Sequence, residues 1–340
     1  MNPKASVPSP FFCLGSYARL AIALAAFVGS TAVSPAATVT LNAPGDATGA
    51  SSFNSGLNWS DTFAPSAGND YSVGSGATLR TPATTGDFTF AGNSLTIGTG
   101  GALNTKSSTV GANFTINNFA LDGGTLNNSD NTVGTAKFSG NSFGVTANGG
   151  SLNTVNGPLE FASTATSING TLNVINTSTS GSSDYEVTFD GQVLFGTAGQ
   201  LTLTKTGNGV APRVTLASSG TFTFDIGASG TTYMSAGSIA QRAKQFNLNG
   251  TFDFTLGAED LVSGITWNII NPANATVTYG GTFAIGGFTD NAGVWTSSDG
   301  DYQFAQSTGI LSVVAVPEPS TLALGALGIG LLAIRKLSKI

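Results

Sequence analysis

The 340-residue chain has no histidine, and its single cysteine is Cys13. Without imidazole there is no Ser-His-Asp triad, no histidine-bound metal and no side chain that ordinarily titrates near neutrality. Cys13 falls in an N-terminal stretch that reads as a leader, so the exported body has neither a thiol nucleophile nor a disulfide. Its fold must rest on burial and hydrogen bonding. Charge is scarce as well, at 9 % of residues. Between residues 38 and 316, seven basic side chains stand against 17 acids, a net charge of −10. Such a body lacks the basic surface that nucleic acid requires. Helical periodicity is almost missing: only Ser235 to Phe246 has it, where Ile239, Ala243 and Phe246 would share a face.

What the chain has instead is glycine, 46 residues of it, together with 22 phenylalanines and abundant Thr, Val and Ile. Disordered chains are poor in aromatic and β-branched residues, so this composition points to β structure. Alternation says so more directly. Phe88-Thr89-Phe90, Leu201 to Thr204, Thr221 to Ile226 and Thr251 to Leu256 place apolar residues at every second position. Strand side chains alternate between faces, so one face of each run is buried. Between the runs lie Asp-Gly-Gly, Asn-Gly-Gly and Asn-Gly turns, where positive φ is tolerated.

The runs recur. Units of the form Gly-small-Leu-polar begin at Gly101, Gly124, Gly150, Gly170 and Gly199, with spacings of 23, 26, 20 and 29 residues. A period in this range marks a solenoid whose units bury their apolar faces on their neighbours. The expectation is an all-β chain with a parallel β-helix over 37–235. A β-rich unit over 236–315, holding Trp267, Tyr279, Phe283, Phe288, Trp295, Tyr302 and Phe304, would cap its end. The alternative is a β-sandwich, which strands at 8 to 12 residue intervals would also suit.

Both termini read as addresses. Residues 1–36 have the parts of a secretory signal: Lys4 and Arg19, the apolar Leu20 to Val28, and small residues at Ser34-Pro35-Ala36. Residues 316–340 begin Val316-Pro317-Glu318-Pro319, continue through the uncharged Leu322 to Ile334, and end in a basic flank of Arg335, Lys336 and Lys339. As a helix the thirteen uncharged residues span about 20 Å. A bilayer core is about 30 Å thick. Gly325, Gly328 and Gly330 weaken the helix, and Pro317 and Pro319 stop it from extending upstream. The basic flank fits a cytoplasmic end. A short, transient transmembrane helix is expected.

A Val-Pro-Glu-Pro element, a glycine-rich apolar run and a basic terminus, in that order, resemble the PEP-CTERM sorting signal. The resemblance implies an exosortase as processing partner, a membrane cysteine transpeptidase that reads Pro317, Glu318 and Pro319 and removes the tail. It implies delivery to the outer surface or exopolysaccharide matrix of a Gram-negative bacterium, with membrane anchorage before processing. The repeats Asp122 to Asn127 and Asn148 to Asn153 are similar to the strand repeats of autotransporter passenger domains. That similarity implies a surface stalk or adhesin-like body and carries over no catalytic residues.

Carboxylates are the remaining candidates for chemistry. Asp184, Glu186 and Asp190 would cluster if Asp184 and Glu186 lay on one strand face, at the two-residue spacing of a glycosidase pair or calcium site, against the reading of a solvated face. Asp299-Gly300-Asp301 reads as a turn more readily than as a calcium loop fragment. Glu259-Asp260 reads as a loop pair. Arg80, Lys106, Lys137, Lys205, Arg213, Arg242 and Lys244 stand singly, with no pairing visible. Trp59 and Trp295 would offer sugar-stacking platforms if exposed, although burial is the commoner fate of Trp. No catalytic, cofactor or metal residue is therefore expected. The reading is a non-enzymatic surface or matrix protein, with a polysaccharide-active enzyme or a carbohydrate-binding module as alternatives.

Overall fold

A strand of four or five residues with one apolar face cannot bury that face alone, and in this chain each does so by stacking on equivalent strands. The computed structural model describes residues 36–42, 53–83, 86–106, 111–128, 134–155, 157–177, 186–206, 211–238, 244–256 and 264–314. The strands form three faces. The first runs from residues 86–90 to Ala275–Tyr279, the second from Ala37–Thr40 to Ala284–Ile285, and the third from Thr78–Arg80 to Thr266–Ile270. One coil visits the faces in that order, as Ala136–Ser139, Ser142–Val145 and Gly150–Asn153 do. Pairing between coils is parallel throughout these three faces. The strand Gly86–Gly98 bends through the first corner and serves two faces, with a register shift between Phe90 and Ser94.

This is a three-faced parallel β-solenoid. A β-sandwich is set aside, since its sheets would pair antiparallel. The helical spacing at Ser235 to Phe246 does not produce a helix at either end of that stretch. Ser235 is in the strand Thr232–Ala236 and Phe246 is buried in Lys244–Leu248, while 239–243 lie outside the described residues. Parallel pairing to both neighbours decides the conformation there, overriding a three-residue helical pattern.

The core consists of columns. On the first face Phe88, Phe114, Phe138, Phe161, Phe189, Leu216, Leu248 and Tyr279 stand in register. Ring centroids within the Phe run are 5.9, 5.3, 5.6 and 5.6 Å apart, as offset aromatic contacts require. The third face carries Leu79, Leu103, Leu126, Leu152, Val174 and Leu203. Here the sequence units and the spatial register part. Leu172 lies opposite Gly150, and Leu152 opposite Val174. A slip of two residues leaves every side chain on its own face, so the core accepts it.

Coil length varies, with in-register partners 23 residues apart at Asn104 and Asn127, 27 at Glu186 and Arg213, and 33 at Thr202 and Ser235. A buried polar column underlies the corner between the third and first faces. Thr81, Thr105, Asn128, Thr154 and Asn176 are all fully buried there.

Aromatic side chains close both ends of the solenoid. At the start, Phe53 and Tyr71 pack on Phe90 at 5.2 Å each, and Trp59 on Tyr71 at 4.8 Å. At the other end the coils continue past residue 235 through Ala284–Ile285. An antiparallel sheet then folds back: Phe288–Asn291, Val294–Ser297, Tyr302–Ala305 and Ile310–Val313, the last pairing with the third face. Phe304 from this cap packs on Phe252 and Phe254. Among the described residues no helix is long and apolar enough to cross a membrane. The expected leader 1–36, apart from Ala36, and the expected membrane helix of 316–340 lie outside them.

Candidate functional site

The exposed columns are built from short polar side chains that bond to the coil above or below. Asn127 donates from Nδ2 to Asn104 Oδ1 at 2.8 Å, Asn141 to Asn117 Oδ1 at 2.6 Å, and Asn113 to Asp87 Oδ1 at 2.6 Å. Asp70 accepts from Ser94 Oγ at 2.6 Å and Asn93 Nδ2 at 2.7 Å. Asp122 accepts from Thr146 Oγ1, and from Asn148 Nδ2 at 2.8 Å. These bonds, Ser94 foremost for Asp70 and Thr146 foremost for Asp122, hold both carboxyls below the ordinary aspartate pKa.

Of the three acids proposed from sequence as a cluster, Asp184 lies outside the described residues, and Glu186 and Asp190 are not brought together. Glu186 is in the strand Glu186–Phe189 and Asp190 follows it directly, so extended backbone places them about 13 Å apart. A glycosidase pair needs roughly 5 to 9.5 Å. Each instead takes a hydroxyl from the next coil, Thr215 for Glu186 and Ser219 for Asp190. Asp184, Glu259, Asp260 and Arg242 lie outside the described residues. The Asp299-Gly300-Asp301 element is a turn. Asp299 Oδ1 accepts from Ser297 Oγ at 2.5 Å and from the Asp301 amide at 3.1 Å, and the Ser297 bond foremost lowers its pKa. Among the described residues no group of three or more potential ligands is placed to hold a metal.

Both tryptophans offered as sugar platforms are buried. Trp59 has no exposure and Trp295 has 9 %, packed on Phe283 at 5.6 Å. Each plugs one end of the solenoid, where a coil would otherwise show its core to water, and neither presents a ring face to a ligand. One pairing escaped sequence reasoning: Lys137 donates to Glu160 Oε1 at 2.5 Å, and this bond foremost raises the lysine pKa. The two are register partners in adjacent coils, a relation visible only once the coils are aligned. Lys244 is pulled the other way, chiefly by burial, and donates to the Gly237 and Ser238 carbonyls at 2.8 Å.

A cleft of about 440 Å³ lies between Ala275–Tyr279, the last strand of the first face, and the cap. Pro272, Val277, Tyr279, Val294, Gln306 and Ser307 line it, with no charged group. The Tyr279 hydroxyl is buried without a hydrogen-bond partner, and that burial raises its pKa. Of the sequence-derived functional residues, Pro317, Glu318, Pro319, Arg335, Lys336 and Lys339 all lie beyond Val314, outside the described residues. What the structure contributes is the state of the chain just before them: Val314, the last described residue, donates its amide to Asp301 O at 2.8 Å.

Fold and terminus together define a capped parallel β-solenoid that runs directly into a C-terminal signal. Residues 315–337 match the family described as the PEP-CTERM protein-sorting motif. The motif implies an exported protein delivered to the surface and processed by an exosortase. Pro317, Glu318, Pro319, Arg335 and Lys336 fall inside the matched stretch, and Lys339 just beyond it. No curated protein and no solved structure matches the chain.

Proposed function

We propose that this chain is a structural or adhesive component of the outer surface or exopolysaccharide matrix of a Gram-negative bacterium, without enzymatic activity of its own. The observation that carries the reading is the sorting motif at 315–337 placed immediately behind a capped solenoid. Two features support a structural role. The outward Asn, Ser and Thr columns spend their hydrogen bonds on neighbouring coils. Of the candidate carboxylates, Glu186 and Asp190 each take a hydroxyl in the same way. Before processing, Leu322 to Ile334 holds the chain in the membrane, with Arg335, Lys336 and Lys339 on the cytoplasmic side. The acidic body makes nucleic acid an unsuitable partner.

The test is to express the full chain with Glu318→Ala and fractionate the cells. The variant is expected to accumulate unprocessed in the membrane fraction, and undisturbed delivery to the surface would overturn the sorting part of the reading. For the role itself, a strain lacking the protein is expected to form a matrix that disperses under lower shear. A matrix of unchanged strength would count against a structural contribution.

A further inference from the structure

The folded body and the sorting motif are separated by almost nothing. The last strand, Ile310–Val313, is interior to its sheet, paired with Thr266–Ile270 on one side and Tyr302–Ala305 on the other. Leu311 is fully buried and Val313 nearly so. The strand end is tied twice more: the Val313 amide donates to Ile265 O at 3.0 Å and the Val314 amide to Asp301 O at 2.8 Å. Only Ala315 and Val316 then precede Pro317. Three extended residues cover about 10 Å, so the motif begins within that distance of the last tied amide.

An enzyme that processes a linear motif takes it as extended chain and holds it through backbone N–H and C=O groups on both sides. On the upstream side those groups are already bound to the cap. We propose that the folded cap competes with the sorting enzyme for the backbone of Val313 and Val314, so that fraying of this strand end is a step in removal of the tail. The proposal rests on the reading of Pro317, Glu318 and Pro319 as an exosortase signal. The covalent chemistry it precedes is acyl transfer: the enzyme thiol adds to a backbone carbonyl at the motif, a thioester forms as the peptide bond breaks, and the tail departs as an amine that takes the thiol proton. Water or an amine acceptor then cleaves the thioester and restores the thiol, with no change in oxidation state.

Thr266 and Ser312 face each other across the antiparallel pair, and the sole native cysteine is Cys13. The full-length double variant Thr266→Cys with Ser312→Cys therefore allows the strand to be locked by oxidation and released by dithiothreitol. In a pulse-chase in cells bearing the enzyme, the locked form is expected to lose its tail more slowly, on the order of tenfold, since pinning Ser312 to Thr266 confines any fraying to the residues that follow it. Dithiothreitol should restore the rate. Insertion of roughly a dozen Gly and Ser residues between Val314 and Ala315, a flexible coil, should make locked and unlocked forms equal. Leu311→Ala, which loosens the strand without lengthening it, should speed removal, with the circular dichroism of the solenoid unchanged. If Glu318→Ala blocks processing while lock, linker and Leu311→Ala all leave the rate as it was, the competition is refuted and the sorting signal stands. If Glu318→Ala is processed normally, the sorting signal itself fails.

Discussion

Asn128 has no exposure to solvent, yet both ends of its amide are bonded. Its Oδ1 accepts from Thr105 Oγ1 at 2.9 Å, and its Nδ2 donates to the Pro158 carbonyl at 2.9 Å. Asn128→Ala removes two buried hydrogen bonds, although the Pro158 carbonyl keeps the Ala136 amide and the Thr105 hydroxyl keeps the Asn127 carbonyl, and a loss of about 2 kcal/mol in urea-induced unfolding is expected. Tyr279 presents the opposite case, a buried hydroxyl with nothing to bond. Tyr279→Phe should leave stability unchanged or raise it by about 1 kcal/mol, and a clear loss would show that the hydroxyl has a partner in solution. The Lys137–Glu160 pair is partly exposed, at 37 % and 26 %, so Glu160→Gln should cost less than about 1 kcal/mol. For Asp70 and Asp122 the pKa is depressed in the folded state. Their contribution is present above the unfolded carboxylate pKa of 3.8 and is lost as pH falls through the lower folded value. Asp122→Asn should accordingly flatten part of the stability loss in that acid range.

At the level of elements, the two ends of a first-face strand obey different rules. The corner leading into the second face is tight. Gly140 has a φ of +152°, and a Cβ built there would lie 1.8 Å from the Ile116 carbonyl oxygen. Gly140→Ala should therefore destabilise by roughly 2 kcal/mol or more, because backbone must move to admit the methyl. The corner arriving from the third face has the Thr and Asn column beneath it, which satisfies backbone groups whatever the chain does above. Over that column the stretch joining a third-face strand to the next first-face strand runs from five residues, 154–158, to nine, 177–185. A short Gly-Ser insertion beside Asn156 should cost under about 1 kcal/mol, as loop-closure entropy grows slowly with length. Within the core, Phe161 touches Phe138, Phe143 and Phe189. Phe161→Ala should cost about 3 to 5 kcal/mol by denaturant unfolding, since a cavity in the middle of a stack has no neighbour free to fill it.

For the molecule as a whole, caps decide whether a solenoid is soluble, because an open terminal coil is a template for another chain. Deleting residues 288–313 removes Phe288 and Phe304 from Phe252 and Phe254, and the truncated body is expected to self-associate in analytical ultracentrifugation. The strand alternation, the turn glycines, the recurrence of coils and the sorting signal were all legible in the residues, because each is a local pattern. The address needs no fold to be recognised: the motif at 315–337 is matched as linear sequence, which is why it could be read directly. Register could not be read the same way. Leu172 shares its sequence unit with Leu152 but stacks a step earlier, since the core distinguishes faces and not identical motifs. The fate of Trp59 and Trp295, the pairing of Lys137 with Glu160 and the separation of Glu186 from Asp190 also belong to the assembled coils. Each depends on which residues more than twenty positions apart come to lie side by side, or on how straight the chain runs between them. Sequence by itself determined the class of strand and the destination of the chain. Tertiary structure alone decided which polar groups are occupied and how close the folded cap comes to the signal, because both are distances set by packing between coils.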